Sequence, residues 1–115
     1  MGYLTEQESF WAGSFGDDYI SRNQSGGLLF SKVAMWSQML RSANRVGSIK
    51  ELGCNIGLNL KALNHLNPSY DLSGVEINEL AARQARELGI GSISCGTITE
   101  PLQDNKVDLT FTAGV

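Results

Sequence analysis

The sequence predicts an α/β fold built on a parallel sheet, and three observations carry that prediction. From residue 48 onward short apolar runs alternate with helical patterns, the rhythm of successive βαβ units. The first run, SIKELGC, passes through a glycine-bearing turn straight into a helical pattern. The second, DLSGVEI, ends on an acid, Glu76, beside a helix-start residue, Asn78. A length of 115 residues fits one ordinary domain. With 42% hydrophobic and 18% charged residues, the chain has the composition of a globular protein.

The elements follow in chain order. Thr5 and Glu8 form a capping-box pair that opens a short helix over about residues 6 to 13. Gly13 and Gly16 punctuate it, and GDDYISRN reads as another helical turn or two with its acids near the N-terminus, where the helix dipole favours them. SGG at 25–27 reads as a flexible joint. Beyond it Leu29, Val33, Trp36 and Leu40 recur at helical spacing and predict an amphipathic helix over 28–43 that packs on a sheet. Leu58, Leu60, Leu63 and Leu66 mark a further helix, stopped by Asn67-Pro68 because proline disfavours a helical residue before it. Asn78 is the expected N-cap of ELAARQAREL, and Gly89 falls where a left-handed C-terminal cap belongs. Residues 90–95 predict a third strand and VDLTFTAG from 107 a fourth. Domain organisation follows: a helical cap over 1–27 and a sheet-bearing part over 28–115.

Composition also excludes function classes. Nine Lys and Arg against twelve Asp and Glu leave a net charge of −3, and no window holds a basic cluster able to neutralise a row of phosphates, so nucleic acid is not the expected partner. No apolar run reaches the length of a membrane span, and the N-terminus lacks the basic and then apolar pattern of a signal peptide, which predicts a cytoplasmic protein. Cys54 and Cys95 have no CxxC partner that would suggest zinc, and both read as reduced thiols. No metal site is expected.

The chemistry-bearing segment is Glu51-Leu52-Gly53-Cys54-Asn55-Ile56-Gly57. Small residues at 53 and 57 let the backbone turn tightly and approach a ligand, and the following helix N-terminus offers N–H groups. Glu76, at the carboxyl end of the second strand, is placed to accept from both hydroxyls of a ribose bound over that turn; the alternative is a solvated loop acid. A dinucleotide fingerprint would need glycine at 55 and 58, where Asn55 and Leu58 stand, and a triphosphate loop would need Gly-Lys-Ser or Gly-Lys-Thr. Cys54 has no histidine placed to activate it and reads as a small buried thiol. His65, the only histidine, lies at a helix C-terminus, where a structural role fits the dipole.

An acid followed by a glycine turn of this form resembles class I S-adenosylmethionine-dependent methyltransferases. Asn55 replaces the middle glycine, tolerably, because asparagine visits the left-handed region. EQESFWAGSFGDDYISRN together with ELGCNIGLNLKAL, GVEIN and VDLTFTAGV resembles, more narrowly, the methylase family associated with pseudaminic acid biosynthesis. The resemblance implies a Rossmann-like fold whose first four strands, in the order 3-2-1-4, are present, and S-adenosyl-L-methionine as cofactor. It implies cofactor binding at Glu51 and a turn, Gly53, Cys54, Asn55 and Gly57, that lines the methionine part. Glu76 would hold the ribose, Ile77 would flank the adenine, Thr97 and Ile98 would face the adenine edge, and Ala113 would lie beside the sulfonium. Tyr19 and Arg22 would reach the cofactor carboxylate. Phe10, Trp11, Phe15 and Tyr19 could form an aromatic lid over the cofactor; the alternative, preferred for Phe10 and Trp11, is apolar packing against the sheet.

The chain stops within an apolar strand-like run, so the expectation is a truncated cofactor-binding part, inactive alone, of a methyltransferase acting on a small molecule such as a sugar. Its fourth strand, left as an edge, predicts a homo-oligomer. The rival readings are a non-enzymatic interaction domain of the same fold and, weakened by Asn55 and Leu58, a nucleotide-sugar or NAD oxidoreductase.

Overall fold

The computed structural model describes residues 6, 8, 12–13, 26–43, 45–97 and 106–113. Its elements run α1 (Gly26–Met39), β1 (Ser48–Leu52), α2 (Leu58–Leu66), β2 (Asp71–Glu76), α3 (Glu79–Glu87), β3 (Gly91–Cys95) and β4 (Leu109–Thr112). Glu6, Glu8 and Ala12 are helical as well. The strands form a parallel sheet in the order β3-β2-β1-β4, as the βαβ rhythm and the resemblance predicted. The chain adds β2 and β3 on one side of β1 and then returns to place β4 on the other. That reversal makes the carboxyl end of β1 a topological switch point, the place where open α/β sheets form their ligand crevice.

Local signals explain the element ends. Asn78 caps α3, its Oδ1 accepting from the Ala81 N–H at 2.9 Å. Gly89 adopts φ 67° just beyond that helix, a left-handed conformation that glycine reaches without strain. Asn67 ends α2 in an extended conformation ahead of Pro68.

Three expectations for α1 are corrected. The joint foreseen at 25–27 is not one at its glycines, because Gly26 and Gly27 form the first helical turn, where Ser31 donates to the Gly27 carbonyl at 3.2 Å. The helix also ends at Met39 rather than 43. Its C-terminus tightens into turns in which Arg41 N–H donates to Gln38 O and Ala43 N–H to Leu40 O. The helix packs chiefly on α2 rather than on the sheet. It reaches the sheet through Trp36, whose ring meets Phe111 of β4 edge-on, with centroids 4.5 Å apart at 64°.

The core joins Trp36, Ile49, Leu60, Ala62, Leu63, Leu72 and Ala85. Strand register places Ile49, Glu51, Leu72, Gly74, Ile93, Leu109 and Phe111 on the face that meets the helices. The opposite face carries Ser48, Lys50, Ser73, Ser92, Ser94, Thr110 and Thr112 by the same alternation. Asp108, expected inside the fourth strand, precedes it and acts as a clamp. Its Oδ2 accepts from Gly47 N–H at 2.7 Å and Ser48 N–H at 3.1 Å, tying β4 to the start of β1. Among the described residues no helix is long and apolar enough to cross a membrane.

Candidate functional site

The turn after β1 is shaped by three positive φ angles: 75° at Gly53, 53° at Asn55 and 88° at Gly57. Asn55 in the left-handed region is what its side chain type permits. Gly53 and Cys54 both donate to the Val75 carbonyl, at 2.8 and 3.0 Å, which holds the turn against the end of β2. At Gly57 a Cβ would lie 3.0 Å from Leu88 Cδ1 and 3.3 Å from the Ala85 Cβ, so the missing side chain lets α2 start close against α3. Among the described residues no side chain caps the first turn of α2, and N–H groups at a helix N-terminus favour anionic or polar partners.

Glu76 is the hinge of the site. It is buried, and its carboxylate is shared between the two halves of the crevice. Oε1 accepts from Asn55 N–H at 2.7 Å and Oε2 from Asn78 N–H at 2.8 Å. An ionised carboxylate offers about four acceptor positions, so the turn and the α3 cap each take one and two remain for a ligand. The Glu76 carbonyl accepts from Gly96 N–H at 2.9 Å, which brings the end of β3 alongside.

Glu51 lies deeper, only 2% exposed, at the end of β1. Its Oε2 accepts from Asn59 Nδ2 at 2.9 Å. Its Oε1 is buried with no hydrogen-bond partner among the described residues, as is Asn55 Oδ1. Burial raises the Glu51 carboxyl to about 7, against the opposing effects of the Asn59 hydrogen bond and the Lys32 charge. Cys54 is buried, and desolvation together with the Glu51 and Glu76 carboxylates pushes its thiol upward, the wrong direction for a nucleophilic thiolate. Its sulfur sits where a Cβ on Gly74 would come within 2.9 Å, so the two positions pack as one.

Other expected residues gather at the same ends. Ile77 leads from Glu76 into the α3 cap, and Thr97 is buried beyond β3. The Thr97 hydroxyl donates to the Glu8 carboxylate. Asn78 Nδ2 donates to the Ala12 carbonyl at 3.3 Å, so the N-terminal helical residues touch this edge of the sheet at two points. Ala113 follows Thr112, whose register partner is Leu52, and so stands level with the start of the turn. Tyr19, Arg22 and Ile98 lie outside the described residues, as do Phe10, Trp11, Phe15, Gly114 and Val115. Among the described residues no group of three His, Cys, Asp or Glu could hold a metal ion. Sequence reasoning missed Asn59 and the polar use of Trp36 and Lys32. The signal was an asparagine on the buried side of the leucine-rich run LNLKALNHL, in the first turn after the loop.

No family profile and no curated protein matches the chain. Solved structures do. A plantazolicin methyltransferase, BpumL, in complex with SAH, aligns at a TM-score of 0.69 and 22% identity over 91% of this chain and 44% of its own. SAM-bound CalS10, an amino pentose methyltransferase from Micromonospora echinaspora, aligns at 0.65 and 17% over 98% and 43%. Streptomyces venezuelae DesVI aligns at 0.63 and 15% over 96% and 44%. The chain therefore spans less than half the length of each. What this likeness and the 3-2-1-4 parallel sheet establish is the fold, which is that of the Rossmann-like class I methyltransferases.

Proposed function

We propose that the chain is the cofactor-binding part of an S-adenosyl-L-methionine-dependent methyltransferase. The observation that carries this reading is the Glu76 carboxylate, bonded to both sides of the crevice yet retaining two acceptor positions, a match for the paired hydroxyls of a ribose. The cofactor, when bound, supplies an electrophilic methyl group. Around it Glu76 takes the ribose, Ile77 flanks the adenine and the Thr97 oxygen accepts at the adenine edge. The 53–57 turn, Ala113 and the uncapped α2 N-terminus surround the methionine part, with Tyr19, Arg22 and Ile98 assigned by family resemblance. Glu51 Oε1, buried and without a partner among the described residues, suits the α-ammonium. Methyl transfer to an in-line nucleophile needs positioning more than a dedicated acid or base.

Three finer assignments belong to the same reading. The acceptor is a small molecule of the sugar class, a reading supported by FWAGSFGDDYISRN and the pseudaminic acid-associated resemblance, and paralleled by the amino pentose methyltransferase among the neighbours. The chain corresponds to under half of those proteins and, in a cytoplasmic setting, holds cofactor without methylating alone. The edge of β4 that does not face β1 pairs with a second copy.

Thermal denaturation in increasing S-adenosylhomocysteine tests the reading. A ligand that binds only the folded state stabilises by about 2.7 kcal/mol at a hundred times its Kd, so the melting temperature climbs with concentration in the wild type and stays flat in Glu76→Ala. A flat response in both favours the rival, a non-enzymatic interaction domain.

A further inference from the structure

The polar cluster beneath the turn is wired in one direction. Trp36 Nε1 donates to Asn59 Oδ1 at 3.1 Å and Lys32 Nζ donates to the same oxygen at 3.3 Å. An indole N–H and an ammonium can only donate, so the atom facing them must be the amide oxygen. The amide nitrogen is thereby turned to Glu51, where it donates to Oε2 at 2.9 Å. Three elements, α1, α2 and β1, thus fix which Glu51 oxygen is occupied from below. The oxygen left without any partner among the described residues is Oε1, which is buried.

A buried carboxylate with an unpartnered oxygen is relieved of the cost of its charge when it takes a proton or when a cationic donor docks on it. Resting on the cofactor reading above, we propose that Glu51 Oε1 exchanges its proton for the α-ammonium of the cofactor's amino-acid end. Asn59, held by Trp36 and Lys32, is the positioning residue that sets the pH of that exchange. No covalent bond changes; the carboxyl gives its proton to solvent as the ammonium docks.

The groups acting on Glu51 come from each neighbouring element. Lys32 of α1 favours the carboxylate, while Glu76 of β2 opposes it. The turn contributes the Cys54 thiol, itself pushed upward by Glu51. Asn59 of α2 and Phe111, the β4 register partner, are neutral. The net effect, dominated by burial, places the carboxyl at about 7, so cofactor binding near neutral pH should release a proton.

Calorimetric titration with S-adenosylhomocysteine, in buffers of different ionisation heat between pH 5.5 and 8.5, counts that proton. The control ligand is 5′-methylthioadenosine, which keeps the adenine, ribose and thioether but lacks the amino-acid end. In the wild type, S-adenosylhomocysteine releases close to one proton at the acid end and its affinity rises through pH 7. 5′-Methylthioadenosine releases none. Glu51→Gln abolishes both the release and the acid limb. Asn59→Leu moves the midpoint of that limb upward by about one unit, since a hydrogen bond to the charged form is lost. Lys32→Met, on a half-exposed side chain, moves it the same way should the core substitution fold poorly. A purely structural Asn59 would weaken binding equally at every pH. If both ligands bind but S-adenosylhomocysteine releases no proton, or both variants leave the midpoint in place, the exchange is refuted while the cofactor reading stands. If neither ligand binds, both fall.

Discussion

At the scale of the residue, Glu51 combines deep burial with an oxygen that has no partner among the described residues. Its carboxyl stands at about 7 when folded against an ordinary value of 4.5, so between those values the folded chain holds a proton that the unfolded chain has lost. Stability from this group is therefore fully present below about 4.5 and is lost as pH rises through 7, by about 3 kcal/mol at most. Glu51→Gln removes that loss. In urea denaturation the variant should equal or exceed the wild type at pH 8, and its stability should vary less between pH 5 and 8. A wild type that gains stability across that range would contradict this account of Glu51. Asp108 acts in the opposite sense. The backbone donors of Gly47 and Ser48 hold its carboxyl below the usual range, so its contribution is present at neutral pH and is lost as acid protonates it. Asp108→Asn should blunt the acid limb of the denaturation profile.

At the scale of the element, two glycines show why part of the fold was legible and part was not. The alternation of strand and helix, the Asn78 cap, the left-handed Gly89 and Asn55, and the Glu76 strand end all rest on local chemistry and could be read directly. Gly74 and Gly91 could not, because each is required by a neighbour distant in sequence. A Cβ at Gly91 would collide with the backbone carbonyl of Leu72, its carbon at 2.8 Å, across the β2–β3 pairing. Backbone cannot turn away as a side chain can. Gly91→Ala should cost about 2 kcal/mol or more and show as a lowered midpoint in denaturation; an unchanged midpoint would mean that β3 does not lie in this register. The start of α1 was misread for a related reason: a serine and two glycines carry a joint signal locally, and only the packing of Leu29, Val33 and Trp36 on the core extends the helix over the glycines. Asn59 escaped notice because its role depends on three elements meeting.

At the scale of the whole molecule, the described helices pack against one face of the sheet, and the other face is lined mainly by Ser, Thr and Lys. This asymmetry is why the strands alternate instead of reading as continuous apolar runs. β4 pairs with β1 along one edge, and among the described residues no strand occupies the other. An unpaired strand edge is a template for another chain. On the proposed pairing with a second copy, sedimentation at micromolar concentration should report a dimer or larger; a monomer would remove that part of the proposal.

The central claim is that the crevice over β1 and β2 is a cofactor site organised by Glu76. Direct calorimetric titration of the wild type and Glu76→Gln with S-adenosylhomocysteine at pH 7.5 tests it most closely. The predicted result is saturable one-to-one binding in the wild type and a loss of about tenfold or more in the variant, where a charge-assisted hydrogen bond to the ribose is weakened. Equal binding in the two proteins, or none in a folded wild type, would contradict it.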